Sequence, residues 1–263
     1  IRAGLQHVEG RPSAFRYAIG IAVVQVGWVA RLWLPDDAGL VAFFVLAAIE
    51  LAIPIWAEQA GRTPWHPRHI AERYGLFTII VLGESVLSAT VGVQAAIDLD
   101  TPFGDLGFVI VGGLLTLFAM WWIYFDLPNE QLVERVRRDF AAHIRGAFTW
   151  GYGHFPVFAS AAAVGGGLLV EVDHVTHHSD LTSLESALAF TIPVCIFLLS
   201  VWAVHYRFKR ATWVRSWAVP TAVVLILASS ATAEPVLVTG LLMAALVALN
   251  TVATNRSVVT AQR

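Results

Sequence analysis

Cysteine is nearly missing from this chain: Cys195 stands alone, so no disulfide can form within it. Charge is scarce as well, at 14% of residues, against roughly a quarter in a soluble domain. A chain so apolar is not intrinsically disordered. The formal net charge of −2, with no basic stripe and no RNA-binding motif, leaves no nucleic-acid footprint. There is no P-loop, no Gly-x-Ser-x-Gly elbow and no Cys-x-x-Cys, so soluble-type enzyme chemistry has no anchor. What is abundant is apolar surface: 57% of the residues, ten of them Trp, and a mean hydropathy of +0.67. These numbers describe an all-α integral membrane protein in a lipid bilayer. Its function is to be sought among its few intramembrane polar residues.

A membrane-crossing helix needs about 20 mostly apolar residues. The sequence offers about eight such spans: 14–34, 39–57, 70–92, 106–125, 148–170, 184–204, 215–233 and 235–252. The last two are separated by Glu234-Pro235 alone. Read as one rod they would overshoot a ~30 Å hydrocarbon core almost twofold at ~1.5 Å per residue. A tight turn is expected instead, with Pro235 at a helix start, where its missing N–H costs nothing. All eight are taken as one transmembrane domain over 1–263. Ile1 is not an initiator and 1–12 lacks the zones of a signal peptide, so a trimmed start is expected.

Charge supplies orientation. Of the 17 Lys and Arg, all but Arg31 fall in the leading segment, in alternate loops and their bordering helix ends, or in the tail. The intervening loops carry Asp36, Asp37, Asp98, Asp100, Asp105, Glu171, Asp173 and Asp180. Cationic loops stay in the cytoplasm, so both ends of the chain are expected there. Two stretches without Lys or Arg, 74–134 and 146–206, each open near Tyr-Gly-x-Phe and end in aromatics. A two-helix hairpin repeat is one reading of this pattern. Ordinary interfacial aromatics are the other.

The segment 66–88 is the richest in chemistry. His69, Glu72 and Arg73 fall at i, i+3 and i+4, on one face of the entering helix. Eleven residues separate Arg73 from Glu84, three turns and about 16 Å along the same stripe. That places Glu84 near the bilayer midplane. A carboxylate there costs ~2.5 kcal/mol or more, so it should face protein or a water pocket. A proton or cation site is one reading, and a single interhelical hydrogen bond is the other. Glu50 is a second midplane carboxylate, with Pro54 one turn later to kink its helix and free carbonyls. Gln25, midway through the first span, is either a third polar partner or interhelical glue.

The run His69-x-x-Glu72-Arg73-Tyr74-Gly75-Leu76-Phe77-x-Ile79-Ile80-x-Leu82-Gly83-Glu84 resembles the signature of the bacterial low-temperature-requirement A family. Trp65-His66-Pro67 and Trp150-Gly151-Tyr152-Gly153-His154 fit the same resemblance, which covers essentially the whole chain. It implies a multi-pass protein of the bacterial cytoplasmic (inner) membrane, named for a cold-growth phenotype. It also implies further spans upstream that this chain lacks. It brings no agreed reaction or substrate.

Other polar clusters are weaker signals. Asp173, His174, His177 and His178 crowd one outer loop and have the donor types of a Zn²⁺ site, without a recognised spacing. His154 and His205 near the ends of adjacent spans could face each other across a haem, but interfacial placement explains them more simply. No cofactor is therefore expected. Leu132, Val136, Phe140 and Ile144 recur every four residues, as in an amphipathic cytoplasmic helix over 128–145. Gly165-Gly166-Gly167 invites close packing against a neighbouring helix.

The favoured reading is a transporter, permease or ion-conducting protein moving a proton, cation or small solute past Glu84 and Glu50. A membrane enzyme acting on lipid or lipid-linked substrates through His69, Glu72 and Arg73 is the alternative. The third is a structural or assembly protein with no turnover. Homo-oligomerisation stays open.

Overall fold

A computed structural model describes residues 10–61, 67–98, 103–126, 144–205 and 213–261. They form eight α-helices: α1 (Arg11–Ala30), α2 (Asp36–Glu58), α3 (Pro67–Asp98), α4 (Phe103–Phe125), α5 (Ile144–Val175), α6 (Ser183–His205), α7 (Trp213–Ser229) and α8 (Pro235–Ala261). No strand occurs among the described residues. Seven of these helices are long and apolar enough to cross a membrane, and α7 is a shorter apolar helix. The protein is thus an all-α, polytopic membrane protein. The amphipathic helix expected over 128–145 lies outside the described residues except for its last two positions, which begin α5.

The chain divides into two compact units, residues 1–66 and 67–263. The first is the pair α1 and α2, joined by a 3₁₀ turn over Arg31–Trp33. Asp36 and Asp37 open α2, where acidic residues complement the helix dipole. Gly27 allows close approach, since a Cβ there would meet the Leu46 side chain at 2.6 Å. At one end of the pair Arg16 donates to the Trp56 carbonyl at 3.0 Å and its guanidinium lies 5.1 Å from the Trp56 ring centre. At the other, Arg31 donates to the Gly39 carbonyl at 2.7 Å.

In the second unit α5 packs against α6 and α3, and α4 packs chiefly against α8. Its core contains Leu106, Met120, Val157, Val164, Phe190 and Phe197, all without exposed surface. Small residues set the closest crossings. Gly112 on α4 meets the backbone of Val236 and Gly240 on α8, with Cβ-position to backbone distances too short for any side chain. Gly165 meets Ser85 across α3 and α5, and Gly167 meets Phe190 across α5 and α6, while Gly166 faces open space. The turn into α6 is closed reciprocally: the Thr182 N–H donates to Glu185 at 2.9 Å, and the Glu185 N–H donates to Thr182 Oγ1 at 3.3 Å. That is a capping box, which satisfies two orphan donors of the helix start. Between α7 and α8 the chain turns over 230–234, and Pro235 opens α8.

Candidate functional site

In the first unit the carboxylate of Glu50, within the spanning helix α2, is partnered. The indole Nε1 of Trp28 on α1 donates to Glu50 Oε2 on α2 at 2.9 Å, and Glu50 is half-buried. Phe43 packs on the Trp28 ring edge-to-face, centroids 5.4 Å apart. Gln25, three residues before Trp28, is exposed on α1.

In the second unit Glu84 lies on the exposed side of α3, halfway along the span His69–Gln94. Its surroundings on that side are Ile80, Leu87 and Val91, all exposed. The opposite side of the helix holds Thr78, Leu82 and Ser85, all buried. At the start of α3, His69 Nδ1 and Glu72 Oε2 are 3.2 Å apart and both side chains are exposed. Arg73 turns elsewhere. With Tyr74, Phe77, Gly151, Tyr152, Phe155 and Phe158 it lines a cleft of about 420 Å³ between α3 and α5. Phe155 at the rim is 68% exposed, so the cleft opens on an apolar flank. The structure therefore places Arg73 in the cleft, leaves His69 and Glu72 facing each other, and sets Glu84 on a separate stretch of α3.

Behind this cleft sits an aromatic cluster that spacing alone does not reveal. The fully buried His154 lies 4.8 Å from Tyr74, 4.3 Å from Trp150 and 5.7 Å from Phe158, ring centre to ring centre. Its Nδ1 donates to the Trp150 carbonyl at 2.8 Å, one turn back. Tyr74 and Trp150 both lie in the family-like motifs quoted above. Their shared cluster is what links the two motifs in space.

A third polar group occupies the opposite end of this unit. Glu171, only 3% exposed, lines a pocket of about 380 Å³ with His174, His177, Ser183, Thr232 and Glu234. Glu171 is a predicted loop residue that lies inside α5, because α5 runs on to Val175. His178 faces Thr176 at 3.2 Å, and Asp173 is exposed. Among the described residues no three His, Cys, Asp or Glu side chains come together as a metal-holding group.

Over residues 1–253 the sequence matches the family described as Bacterial low temperature requirement A protein (LtrA). The chain belongs to the LtrA family. Uncharacterized protein RA0937 of Rhizobium meliloti (strain 1021) is 26% identical to this LtrA chain over 161 residues, which is 57% of this chain and 38% of that relative. The chain thus spans well under half the length of the curated relative it matches. No solved structure matches. Family membership and seven apolar helices of spanning length make this LtrA chain an integral membrane protein.

Proposed function

We propose that this protein moves a proton, a cation or a small cationic solute across the bacterial cytoplasmic membrane, and that Glu84 lies on the path. The observation that supports this is the position of Glu84: an exposed carboxylate halfway along a spanning helix, among Ile80, Leu87 and Val91. Hydrocarbon does not accept such a group without a cost of ~2.5 kcal/mol or more. In this reading that side of α3 faces water or polar groups, where a carboxylate can take up a proton or a cation. Glu50, half-buried and hydrogen-bonded by Trp28, is a second carboxylate inside a spanning helix, in its own helix pair. In this reading both ends of the chain are cytoplasmic, which the Lys and Arg distribution supports.

Proteoliposomes with a pH-sensitive or cation-sensitive dye inside test it. Wild type is expected to show a flux that Glu84→Gln abolishes, with the variant folding normally. In a Cys195→Ala background, a cysteine at position 84 is expected to react with a membrane-impermeant thiol reagent. Liposomes tight to protons, Na⁺, K⁺ and ammonium, with position 84 unreactive, would overturn the proposal. A second copy covering Glu84 would then be sought by cross-linking.

A second reading has its own observation. The Arg73 cleft pairs a guanidinium with an aromatic floor and opens sideways past Phe155. That suits a lipid with an anionic head, because Arg grips phosphate by paired hydrogen bonds while the rings take the chain. Retention of anionic over zwitterionic lipid through purification, lost in Arg73→Gln, would favour a lipid-directed role.

A further inference from the structure

The pocket at the end of α5, α6 and α8 contains more unmet polar capacity than packing explains. Glu171 is 3% exposed, and its Oε1 is fully buried without a hydrogen-bond partner among the described residues. Ser186 beside it donates instead to the Val170 carbonyl at 3.5 Å. His174 Nδ1 is likewise buried and without a partner among the described residues, while its Nε2 meets Ser183 Oγ at 3.2 Å. A buried polar atom left unpaired pays its desolvation without recompense, and two in one pocket call for a common ligand. Glu234, from the turn before α8, lies within electrostatic reach of Glu171 and lines the same space. Ser183, His177 and Thr232 form an exposed mouth.

The chemistry of the unmet atoms selects the ligand. A carboxylate oxygen accepts hydrogen bonds, and in the tautomer of His174 that donates Nε2–H to Ser183, Nδ1 is an acceptor too. Two acceptors beside a second carboxylate ask for a positively charged donor. A primary ammonium carries three N–H donors and no acceptor, which matches in kind the unmet acceptors of Glu171 and His174, and its charge suits the carboxylate of Glu234 in the same pocket. A transition metal would need a third close His, Cys, Asp or Glu donor, and no such trio occurs among the described residues. Alkali and alkaline-earth ions prefer oxygen, and the imidazole disfavours them. The pocket, about 380 Å³ and open at the mouth, admits an ammonium group with a short carbon chain.

We propose that Glu171, His174 and Glu234 form a binding site for the ammonium group of a small organic amine. This goes beyond transport past Glu84: the site lies at the far end of α5, and binding is read without any flux.

The probe is methylammonium chloride added to the detergent-solubilised full chain, with binding read as a concentration-dependent rise in unfolding temperature at fixed ionic strength. A ligand that binds the folded state alone raises stability in proportion to ln(1 + [L]/Kd). A saturable rise is expected with methylammonium and none with tetramethylammonium, which has the charge but no N–H. Glu171→Gln should weaken the apparent affinity at least tenfold, with Glu234→Gln a smaller loss and a second check if Glu171→Gln does not fold. His174→Phe should weaken it as well, because it removes an acceptor and no charge. Three results would overturn the proposal: no saturable response in wild type, an equal response to tetramethylammonium, or a Zn²⁺ response at lower concentration that Glu171→Gln abolishes.

Discussion

The hydroxyl of Ser85 donates to the carbonyl oxygen of Ala161 at 2.8 Å, joining α3 to α5 from a position that is 1% exposed. The same hydroxyl also reaches the Val81 carbonyl in its own helix at 3.1 Å. Adjacent residues on a helix differ by about 100°. Holding Ser85 against α5 therefore holds Glu84 away from the core of this unit. The rotation of α3, set by one hydroxyl and one glycine, decides what Glu84 faces.

That contact can be pried open. A Cβ at position 165 would sit 2.8 Å from Ser85 Cα and 3.1 Å from its Cβ. Gly165→Ala is expected to destabilise the protein by about 1–3 kcal/mol through overpacking, whereas Gly166→Ala, with nothing within 4 Å, should be near neutral. Melting of the two purified variants in one detergent checks the difference. Equal melting temperatures would mean that the α3–α5 crossing is not as close as described.

The crossing of α4 and α8 should be less forgiving. The neighbours of Gly112 are backbone atoms of Val236 and Leu237, which cannot swing aside as a side chain does. Gly112→Ala is therefore expected to cost more than Gly165→Ala, about 3 kcal/mol or above. Loss of folded protein on size exclusion, or a melting temperature well below that of Gly165→Ala, is the expected outcome.

Trp28→Phe keeps an aromatic ring for Phe43 and removes the indole donor to Glu50. A half-buried carboxylate deprived of its donor should cost about 1–3 kcal/mol. Glu50→Gln keeps an acceptor for Trp28 and should cost less, and the double variant should cost less than the sum of the two singles. Unfolding measured around this double-mutant cycle gives the coupling directly. A coupling of zero would show that the bond contributes nothing.

Orientation is testable without any ligand. Single cysteines at Asp180 and Asp100 in a Cys195→Ala background are expected to label from outside intact cells, and one at Arg137 is not. The reverse pattern would overturn the charge-based topology.

The sequence alone determined that this is a helical membrane protein, and the physical reason is local. Apolar content and run length reflect the cost of placing backbone and side chains in hydrocarbon, and each span states that cost for itself. The long motif from His69 to Glu84 likewise sufficed for the family, since recognition needs only the order of residues. Which way a side chain turns is a different matter. Arg73 and Glu84 share a stripe in the sequence, yet one lines an aromatic cleft and the other an exposed apolar surface. The cleft is made by α5, which contributes Tyr152, Phe155 and Phe158 from far along the chain. Glu171 shows the same limit: among Asp173, His174 and Asp180 it reads as one more loop acid, and only α6 and the turn before α8 enclose it. Partners distant in sequence decide burial, because a helix has no inside until another helix covers one of its faces.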